Sequence, residues 1–553
     1  MDKKIFIGNA WLYANNSMHI GHLAALLPGD VLARFFRKNG NEVVFVSGSD
    51  CHGTPITIRA ENLNVSPKEI ATHYDTEFTK TFADLGFTYD IYTNTMTEEH
   101  KQNVQNLLLQ IDKNGFLYEK TEEEDFCTTC NKFKSDRELK GICPICNHIA
   151  DGDQCDNCLT ALKPEMLKDK VCKKCGNPTI LKPNTHLYFE MSALTNQVTK
   201  YFNANKENWR QTAINETNKY ITEGLHDRTI SRSLNWGIEL PFKGFEDKRV
   251  YVWIEAVIGY LTACQMAAKQ KGINFEEFIT DKNLVPYYVH GKDNIVFHTI
   301  ILPALLYAIN PNIIPPKMIV SCEYINFNND KMSKSKGNLI TVNTLLANFD
   351  SDAIRYYFIL NNPERKDASF NLDDFLSIYQ KHLLGGYGNF VNRNLAFLVK
   401  KFEGKLPKQN LDEEVVSYTE NLYKEVKALY EQSELKAAAT KLYEYVQFAN
   451  RYYDNNTPWT FAKEDPEKFD AITSNCIYMI ANIANLFEPI MPKRTQMIKD
   501  ILKIEMNNFE PVTYDENVVL ADVPVLFTRI EPEKIDMSKG AQNTFEEYLK
   551  NKN

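Results

Sequence analysis

Residues 4–22 read KIFIGNAWLYANNSMHIGH, and this stretch decides the fold of the region around it. A short apolar run at residues 4–8 comes first, and an apolar helical pattern begins directly behind a polar segment. Asn15, Asn16 and Ser17 in that segment are residue types that cap helices. The stretch therefore predicts a strand, a turn and a helix, the first unit of a parallel α/β sheet.

His19 and His22 lie three residues apart, so they share one face of the first turn of the predicted helix. Free backbone N–H groups and the positive end of the helix dipole are expected there, and both favour an anionic phosphate. Gly21 between them lets a flat ring approach the backbone. The alternative, which the motif alone leaves open, is two histidines with ordinary hydrogen bonds near a helix start.

The α/β pattern continues on both sides of a cysteine-rich block. Short apolar runs at residues 42–46, 287–290 and 318–322 alternate with longer amphipathic stretches, and turn residues follow each run. We therefore predict a Rossmann-type domain with a parallel sheet in two halves, residues 1–118 and 236–325. An insertion at residues 119–235 splits it.

The last third of the chain has a different pattern. Apolar runs typical of strands largely vanish after about residue 386, and the helical period takes over, as in NCIYMIANIANLF at residues 475–487. We predict an all-α bundle at residues 386–553, joined to the sheet domain by a region at residues 326–385.

Composition limits the possible functions. The chain has 553 residues, 43% of them hydrophobic, so it can bury large cores and is not disordered. Its net charge of −9 is unlike that of a general polyanion binder, so any nucleic-acid contact must come from local patches. No signal-peptide pattern is present at the N-terminus, and the longest apolar run, at residues 300–309, is about half a membrane span. We expect a soluble cytoplasmic protein.

Eight of the twelve cysteines form four Cys-x-x-Cys pairs: Cys127/Cys130, Cys143/Cys146, Cys155/Cys158 and Cys172/Cys175. Eight thiolates suit two tetrahedral Cys₄ zinc sites without an open position, so both sites would be structural. A redox role needs one reactive pair rather than four. Spacing alone permits sequential, nested or interleaved pairing.

A second motif, KMSKS at residues 331–335, changes the interpretation of the histidine pair. Together the two motifs resemble the signature pair of class I aminoacyl-tRNA synthetases. The resemblance implies amino-acid activation, in which His19 and His22 stabilise charge on the α-phosphate and Lys331 and Lys334 act on the triphosphate. No protein nucleophile is needed, because the amino-acid carboxylate attacks. Mg²⁺ should accompany ATP, held mainly by the phosphates.

Further motifs resemble the methionyl-tRNA synthetase family over nearly the whole chain. They are Ala10-x-x-Tyr13-Ala14-Asn15, residues 48–55 (GSDCHGTP), 251–260 (YVWIEAVIGY), 290–298 (HGKDNIVFH), 352–357 (DAIRYY) and 371–375 (NLDDF). The resemblance implies a Rossmann-type catalytic domain, the zinc-binding insertion, and an anticodon-binding bundle. It also implies the enzyme's partners: ATP, methionine and tRNA(Met), both elongator and initiator.

The resemblance also implies site residues. Asp50 would pair with the α-amine of methionine, and Gly291 and Asp293 would hold the adenosine part of the adenylate beside His19, Gly21 and His22. Aromatic faces suit methionine, because its side chain is uncharged, flexible and polarizable. The residues implied to line the thioether pocket are Ala10, Trp11, Tyr13, Trp253, Val257, Tyr260, Phe297 and His298.

The chain departs from the family at three positions in or near this pocket. Many members have Leu where Trp11 stands, Pro where Val257 stands, and Trp near Leu302. A compensating exchange of size between Trp11 and Leu302 is a hypothesis. These departures affect the shape of the pocket rather than the identity of the substrate.

By resemblance the cysteines pair in a nested way, with Cys143, Cys146, Cys155 and Cys158 in the inner site and Cys127, Cys130, Cys172 and Cys175 in the outer one. In the bundle, Asn389, Arg393 and Trp459 match the positions that read the unstacked bases of the anticodon. We expect a monomer, since the dimerising C-terminal module of some members is absent from this sequence.

Three other functions share parts of this pattern. Another class I synthetase for an apolar amino acid is opposed by the short insertion, which cannot hold the editing domain of the Ile, Val and Leu enzymes. A catalytically dead tRNA-binding paralogue has no need for the intact HIGH and KMSKS motifs. A small-molecule adenylyltransferase lacks the anticodon-type bundle. We therefore predict an ATP-dependent methionine–tRNA ligase.

Overall fold

The computed structural model describes residues 3–152, 155, 157, 158, 160, 162–328, 339–540 and 545–552. The chain forms two compact units. The first unit consists of Met1–Val104, Thr195–Gly224 and Glu255–Asn553, and the second consists of Gln105–Leu194 and Leu225–Ile254.

Strands occur in both units. Within the described residues they are β1 (Lys4–Asn9), β2 (Leu12–Tyr13), β3 (Glu42–Asp50), β4 (Ile91–Asn94), β5 (Leu117–Cys127), β6 (Lys132–Phe133), β7 (Leu139–Ile142), β8 (Ile149–Asp151), β9 (Lys168–Cys172), β10 (Ile180–Phe189), β11 (Arg228–Thr229), β12 (Ser231–Arg232), β13 (Arg249–Val250), β14 (Leu284–Gly291), β15 (Met318–Cys322), β16 (Ile325–Phe327) and β17 (Ala368–Phe370).

Helices dominate the C-terminal third. The α-helices of the described residues are α1 (Ile20–Lys38), α2 (Thr54–Leu63), α3 (Pro67–Leu85), α4 (Glu98–Lys113), α5 (Thr195–Asn205), α6 (Gln211–Glu223), α7 (Val252–Lys271), α8 (Phe275–Thr280), α9 (Leu302–Ile309), α10 (Val342–Asn348), α11 (Ser351–Leu360), α12 (Leu372–Ile378), α13 (Asn389–Phe402), α14 (Glu413–Glu431), α15 (Leu435–Asn456), α16 (Pro458–Glu464), α17 (Pro466–Phe487), α18 (Pro492–Leu502) and α19 (Phe545–Lys552). Two further segments, Phe297–Ile301 and Tyr379–Gly388, are π-helical.

The central sheet of the first unit is parallel and confirms the predicted fold class. Its order is β15-β14-β1-β3-β2, with β4 paired to β3. The strand order reverses at β1, because the chain runs from β1 to β3 on one side and returns to β14 on the other. Ligands of open α/β sheets bind at the carboxyl ends of the strands beside such a reversal. The register Asn9↔Val289 sets the ends of β1 and β14 side by side there.

The first helix begins later than the sequence predicts. Its N-cap is His19, so the prediction of a cap among Asn15, Asn16 and Ser17 is wrong. Tertiary contacts explain the shift. Leu12 and Tyr13 form β2 beside β3, and the Ser17 hydroxyl is used at a distance, where it donates to Glu77 Oε2 at 3.0 Å.

A buried ion pair fixes α1 against other elements of the first unit. Arg355 Nη2 lies 2.6 Å from Asp30 Oδ2, and neither side chain is exposed. Arg355 also donates to the carbonyl oxygens of Ile490 and Pro489, at 2.8 and 2.9 Å. Burial alone would raise the pKa of Asp30, but Arg355 and Arg34 outweigh it and hold that pKa below its ordinary value.

The helical bundle predicted for the C-terminal third is confirmed. The predicted helix at residues 475–487 lies inside α17, which is buried along most of its length. Buried asparagines on α17 hold the loop that follows α18: the Asn482 amide donates to Val512 O, and the Asn485 amide to Glu510 O, at 2.8 and 2.7 Å. These bonds satisfy polar groups that would otherwise be costly to bury.

The second unit is built from small antiparallel sheets. One has the order β11-β10-β5-β6, another β8-β7-β9, and β12 pairs with β13. The four cysteine pairs lie at or between strands of this unit. Helices α5 and α6 fall within the predicted insertion along the sequence and pack in the first unit.

One helical stretch of the described residues, Lys292–Ile309, is long and apolar enough to cross a membrane by length and composition alone. In the structure, 67% of it is buried inside the protein, and a buried core helix passes the same test.

Candidate active site and metal centres

His19 and His22 stack at the start of α1, with ring centroids 3.7 Å apart and planes inclined by 23°. The Nδ1 atom of His19 accepts a hydrogen bond from the Gly21 N–H at 3.1 Å, and that of His22 accepts from the His19 N–H at 3.3 Å. A neutral imidazole whose Nδ1 accepts carries its proton on Nε2. Both rings therefore have their N–H donors at Nε2.

The prediction of free backbone N–H groups at this helix start is wrong. Ile20 donates to Ile340 O at 3.1 Å and Gly21 donates to His19 Nδ1, while the next two N–H groups of the helix donate to His19 O at 2.9 and 3.2 Å. The His19 side chain has the capping role that the sequence analysis assigned to Asn15, Asn16 or Ser17. The donors for a phosphate at this turn are thus the imidazole rings.

Two residues that follow the KMSKS stretch, Ile340 and Thr341, contact this turn. KMSKS itself, with Lys331 and Lys334, lies outside the described residues. Ile340 O accepts from the Ile20 N–H, and Thr341 forms an isolated β-bridge with His19. The first residues described after the second motif are therefore bonded to the first motif.

An aromatic cluster lies beside the carboxyl end of β1. The Tyr260 hydroxyl is 2.7 Å from His298 Nε2, and His298 stacks on His290 with ring centroids 4.2 Å apart. Burial lowers the pKa of His298 to about 4 and that of His290 well below its ordinary value, so both rings are neutral at pH 7. His298 Nδ1 lies 2.8 Å from Asn294 O and must donate, so Nε2 accepts the Tyr260 proton. The cluster is uncharged and partly apolar, as a thioether requires.

Trp11 packs against two glycines. A Cβ atom on Gly259 would lie 2.6 Å from Trp11 Cζ2, and one on Gly48 would lie 2.7 Å from Trp11 Cζ3. The indole also lies 5.7 Å from the His100 ring, centroid to centroid. The space for Trp11 thus comes from glycines that the sequence analysis did not single out, and the exchange with Leu302 stays a hypothesis.

The remaining pocket residues differ in position. Ala10 is buried and donates its N–H to Val289 O at 2.9 Å, which places it where β1 and β14 end. Val257 is buried on α7, Tyr13 lies on β2, and Phe297 begins a π-helical segment. Trp253 belongs to the second unit, where its side chain is 40% exposed.

A buried acidic group lies where β3 ends. Asp50 is 6% exposed, and its Oδ1 accepts from the His52 N–H at 3.4 Å. His52 Nδ1 is 2.6 Å from Oε1 of Glu255, which is fully buried. Burial, with the Glu255 charge as a second cause, raises the pKa of Asp50 well above its ordinary value. A group of this kind gains stability from a bound cation.

The turn after β14 is open on one side. A Cβ on Gly291 would meet no atom within 4 Å. Asp293 in this turn accepts a hydrogen bond from the Tyr324 hydroxyl. Lys292 Nζ lies 3.9 Å from the Tyr324 ring centroid and 2.9 Å from Glu323 Oε2. The Asp293 carboxylate is therefore positioned beside open space at the carboxyl end of β14.

The eight paired cysteines form two clusters in the second unit. Within each cluster the four Sγ atoms lie within 4.8 Å of one another: Cys127, Cys130, Cys172 and Cys175 in one, and Cys143, Cys146, Cys155 and Cys158 in the other. This is the nested pairing, which spacing had left open. Both clusters could hold a metal ion.

The sulfur separations fit tetrahedral zinc. Four thiolates at about 2.3 Å from a zinc ion are roughly 3.8 Å apart. Cys127 and Cys175 are 3.4 Å apart and Cys130 and Cys172 3.9 Å, with similar values of 3.5 and 3.8 Å in the other cluster. A backbone hydrogen bond from His148 lowers the pKa of Cys146, whereas the pKa of Cys155 in the same cluster is raised.

The predicted anticodon residues lie on one surface of the bundle. Asn389 is exposed on α13, one helical turn before Arg393. Arg393 Nη1 is 2.7 Å from Asp454 Oδ1, and its guanidinium lies 4.1 Å from the Tyr453 ring centroid. Trp459, 47% exposed, lies 5.3 Å from the same ring. Tyr453 therefore joins the arginine and the tryptophan.

Residues 5–395 match the family model described as tRNA synthetases class I (M). The chain belongs to this family. Residues 406–539 match a second model, described as the anticodon binding domain of methionyl tRNA ligase.

Curated relatives of this family are similar along their whole length. "Methionine--tRNA ligase 1" of Alkaliphilus oremlandii is 43% identical over 527 residues, which are 95% of this chain and 97% of the relative. "Methionine--tRNA ligase" of Bacillus cereus strain B4264 is 44% identical over 541 residues, covering 97% and 98%.

A solved structure shows the same fold. The Mycobacterium tuberculosis methionyl-tRNA synthetase in complex with methionyl-adenylate superimposes with a TM-score of 0.79 over 95% of this chain and all of that one, at 22% identity.

For this class I synthetase chain, sequence reasoning missed several residues that the structure places beside the predicted ones. His52 and Glu255 lie inside quoted motifs, but no local pattern indicates that residues so far apart along the chain form a pair. His100 lies outside the quoted motifs, and Gly48 and Gly259 lie inside them without a role that local sequence could reveal. Tyr453 precedes Trp459 by six residues, and this nearby aromatic side chain was the one available signal.

Proposed function

We propose that the chain is a methionine–tRNA ligase. It activates methionine with ATP to methionyl-adenylate and pyrophosphate, and then transfers methionine to the 3′ end of tRNA(Met), the initiator tRNA included. One observation carries the proposal, namely the 43–44% identity to relatives of that name over at least 95% of this chain. The uncharged aromatic cluster beside a buried Asp50 supports it, since methionine has an apolar side chain and a cationic amine.

The binding step uses the carboxyl edge of the sheet. Asp50 accepts from the α-ammonium group, and the raised pKa of its carboxyl falls again when the cation is bound. The residues of the first unit that hold the thioether are Ala10, Trp11, Tyr13, Val257, Tyr260, Phe297 and His298. A role for Trp253 stays a prediction. Neutral His298 keeps the Tyr260 hydroxyl oriented, which favours an uncharged side chain over a charged one.

The activation step joins the methionine carboxylate oxygen to the α-phosphorus of ATP, and pyrophosphate leaves with the electron pair of the broken P–O bond. His19 and His22 donate from Nε2 to the oxygens on which negative charge develops, beside Gly21. Lys331 and Lys334 stabilise the triphosphate charge. Gly291 leaves room for the adenosine, and Asp293 accepts from it. Mg²⁺ enters with ATP, bound mainly by phosphate oxygens.

Two zinc ions stabilise the second unit in this proposal. Each Cys₄ cluster supplies four ligands and no open position, so the ions hold the fold and do not meet the substrate. The cysteine clusters belong to the proposed insertion at residues 119–235, which separates the catalytic halves at residues 1–118 and 236–325.

The bundle at residues 386–553 binds the anticodon. Asn389 and Arg393 hydrogen-bond unstacked bases, and exposed Trp459 stacks on one of them. The region at residues 326–385 lies between this bundle and the catalytic domain and contacts the tRNA stem. A cytoplasmic monomer stays a prediction, and sedimentation equilibrium of the purified protein tests the monomer.

The test is ATP–pyrophosphate exchange with the purified protein and each of the twenty amino acids, without tRNA. Exchange with methionine alone is expected. Exchange with another apolar amino acid would support a class I synthetase but refute the assignment of the pocket to methionine. No exchange at all, from folded protein that contains zinc, would refute the proposal and favour a tRNA-binding module.

A further inference from the structure

Glu255 is a buried carboxylate in which one of the two oxygens has no hydrogen-bond partner. It lies in the first turn of α7 and has no exposed surface. Its Oε1 is 2.6 Å from His52 Nδ1, whereas its Oε2 is buried and has no hydrogen-bond partner. An unpaired buried carboxylate oxygen carries a large desolvation cost. Buried polar groups of folded proteins are nearly always hydrogen-bonded, so this oxygen is available to a water molecule or to a ligand.

His52 connects Glu255 to Asp50. Its ring bonds one carboxylate, and its backbone N–H donates to Asp50 Oδ1 at 3.4 Å. The two carboxylates are near enough for the charge of Glu255 to raise the pKa of Asp50. Two acids so arranged repel each other and together attract a cation.

The part of the chain that the structure describes provides no such cation. Neither Asp50 nor Glu255 forms an ion pair with a lysine or arginine there, and His52 is the one ionisable partner of Glu255. The two carboxylates are also not among the described groups of three or more residues that could hold a metal ion. A ligand ammonium group remains, because it donates up to three hydrogen bonds in different directions.

We propose that Glu255 is a second carboxylate of the amine site: its Oε2 accepts a hydrogen bond from the α-ammonium group of methionine, while Asp50 accepts another. This inference rests on the proposed methionine activation. His52 is a positioning residue, since it holds Oε1 and thereby directs Oε2. Glutamine in place of Glu255 keeps the bond to His52 through its amide oxygen and removes the negative charge.

The experiment compares Glu255→Gln with Glu276→Gln in the full-length protein. Glu276 is exposed on α8, so the control removes the same charge outside the site. The KM for methionine and for ATP is measured by pyrophosphate exchange. Kd values are measured for two inhibitor probes, methioninol and 4-(methylthio)butan-1-ol, which differ in the amine alone. Thermal midpoint and zinc content report folding.

The expected result is a selective loss. Hydrogen bonds to charged groups correspond to about 10- to 100-fold in affinity, so Glu255→Gln should raise the methionine KM and the methioninol Kd by that factor. Its Kd for 4-(methylthio)butan-1-ol and its ATP KM should match those of Glu276→Gln. Glu255→Asp keeps the charge but withdraws the oxygen by one methylene, and the same selectivity with a smaller factor is expected if the amide variant does not fold.

Two outcomes overturn the inference. One is an unchanged methionine KM in folded Glu255→Gln protein. The other is an equal loss for both probes, which would make Glu255 a structural residue acting through His52. Failure of the proposed function is a different result, because the wild-type protein would then not exchange pyrophosphate with methionine.

Discussion

Gly259→Ala tests whether the Trp11 indole needs the space that the missing side chain of Gly259 leaves. The new Cβ would lie 2.6, 2.8 and 2.9 Å from Trp11 Cζ2, Cη2 and Cε2, well inside van der Waals contact, so the indole has to move. Such overpacking costs about 1–3 kcal/mol. Alanine offsets about 1 kcal/mol of this, because Gly259 lies inside helix α7 and alanine is the better helix former.

Whether Gly259→Ala destabilises or stabilises the protein therefore depends on the residue at position 11. With Trp11 present, Gly259→Ala should destabilise the protein by up to ~2 kcal/mol, and displacement of the indole should raise the methionine KM about five-fold or more. In a Trp11→Leu background the clash is gone and the helix gain remains, so the same alanine should stabilise by about 1 kcal/mol. The coupling between the two changes is about 1–3 kcal/mol.

The assay is a double-mutant cycle on four proteins, with the thermal midpoint and the methionine KM as readouts. An equal effect of Gly259→Ala in both backgrounds would refute the contact, as would an unchanged KM and midpoint in the wild-type background. The hypothesis about Leu302 is tested separately: Trp11→Leu combined with Leu302→Trp should disturb the KM less than either single change.

Three further outcomes are expected. Trp459→Ala should raise the KM for tRNA at least ten-fold, as loss of one base stack does, and leave methionine-dependent pyrophosphate exchange nearly intact; equal loss in both assays would indicate misfolding. Metal analysis should find about two zinc ions per chain and about one in Cys146→Ser, whereas one or none in the wild type contradicts the two-site prediction. The free energy of unfolding should fall as pH drops from about 6.5 towards 4, because His298 and His100, with pKa values of about 4 and about 3, are neutral when folded and bind protons on unfolding. His100→Asn should lessen that fall. An unchanged dependence of the unfolding free energy on pH in this variant would count against a buried neutral ring.

The strands could be predicted because strands of a buried parallel sheet are nearly continuous apolar runs. The run at residues 318–322 coincides with β15, and those at 4–8, 42–46 and 287–290 lie within β1, β3 and β14. Strand β3 extends further because Ser47, Ser49 and Asp50 are buried by their neighbours. Polar residues of this kind do not by themselves indicate a strand, so the predicted strand ends too early.

The local geometry of the candidate site could be predicted where one motif contains it, but not where distant segments of the chain meet. Local spacing placed His19 and His22 on one turn, but the cap was misplaced because Ile340 and Thr341, far along the chain, complete that turn. The nested cysteine pairing likewise depends on tertiary contacts, since β5 and β9 belong to different sheets and end at Cys127 and Cys172, which meet in one cluster. Spacing along the chain does not contain this information.

The histidines of the site show that the hydrogen-bond partner of Nδ1 decides which ring nitrogen carries the proton. His19 and His22 accept at Nδ1 from backbone N–H groups, so each has its N–H donor at Nε2. His298 is buried, donates at Nδ1 and accepts at Nε2, which makes it a neutral acceptor for Tyr260. The opposite tautomers follow from what each Nδ1 meets, a backbone N–H in one case and a carbonyl oxygen in the other. Histidines near one sheet edge thus provide N–H donors at the start of α1 and a neutral acceptor beside Tyr260.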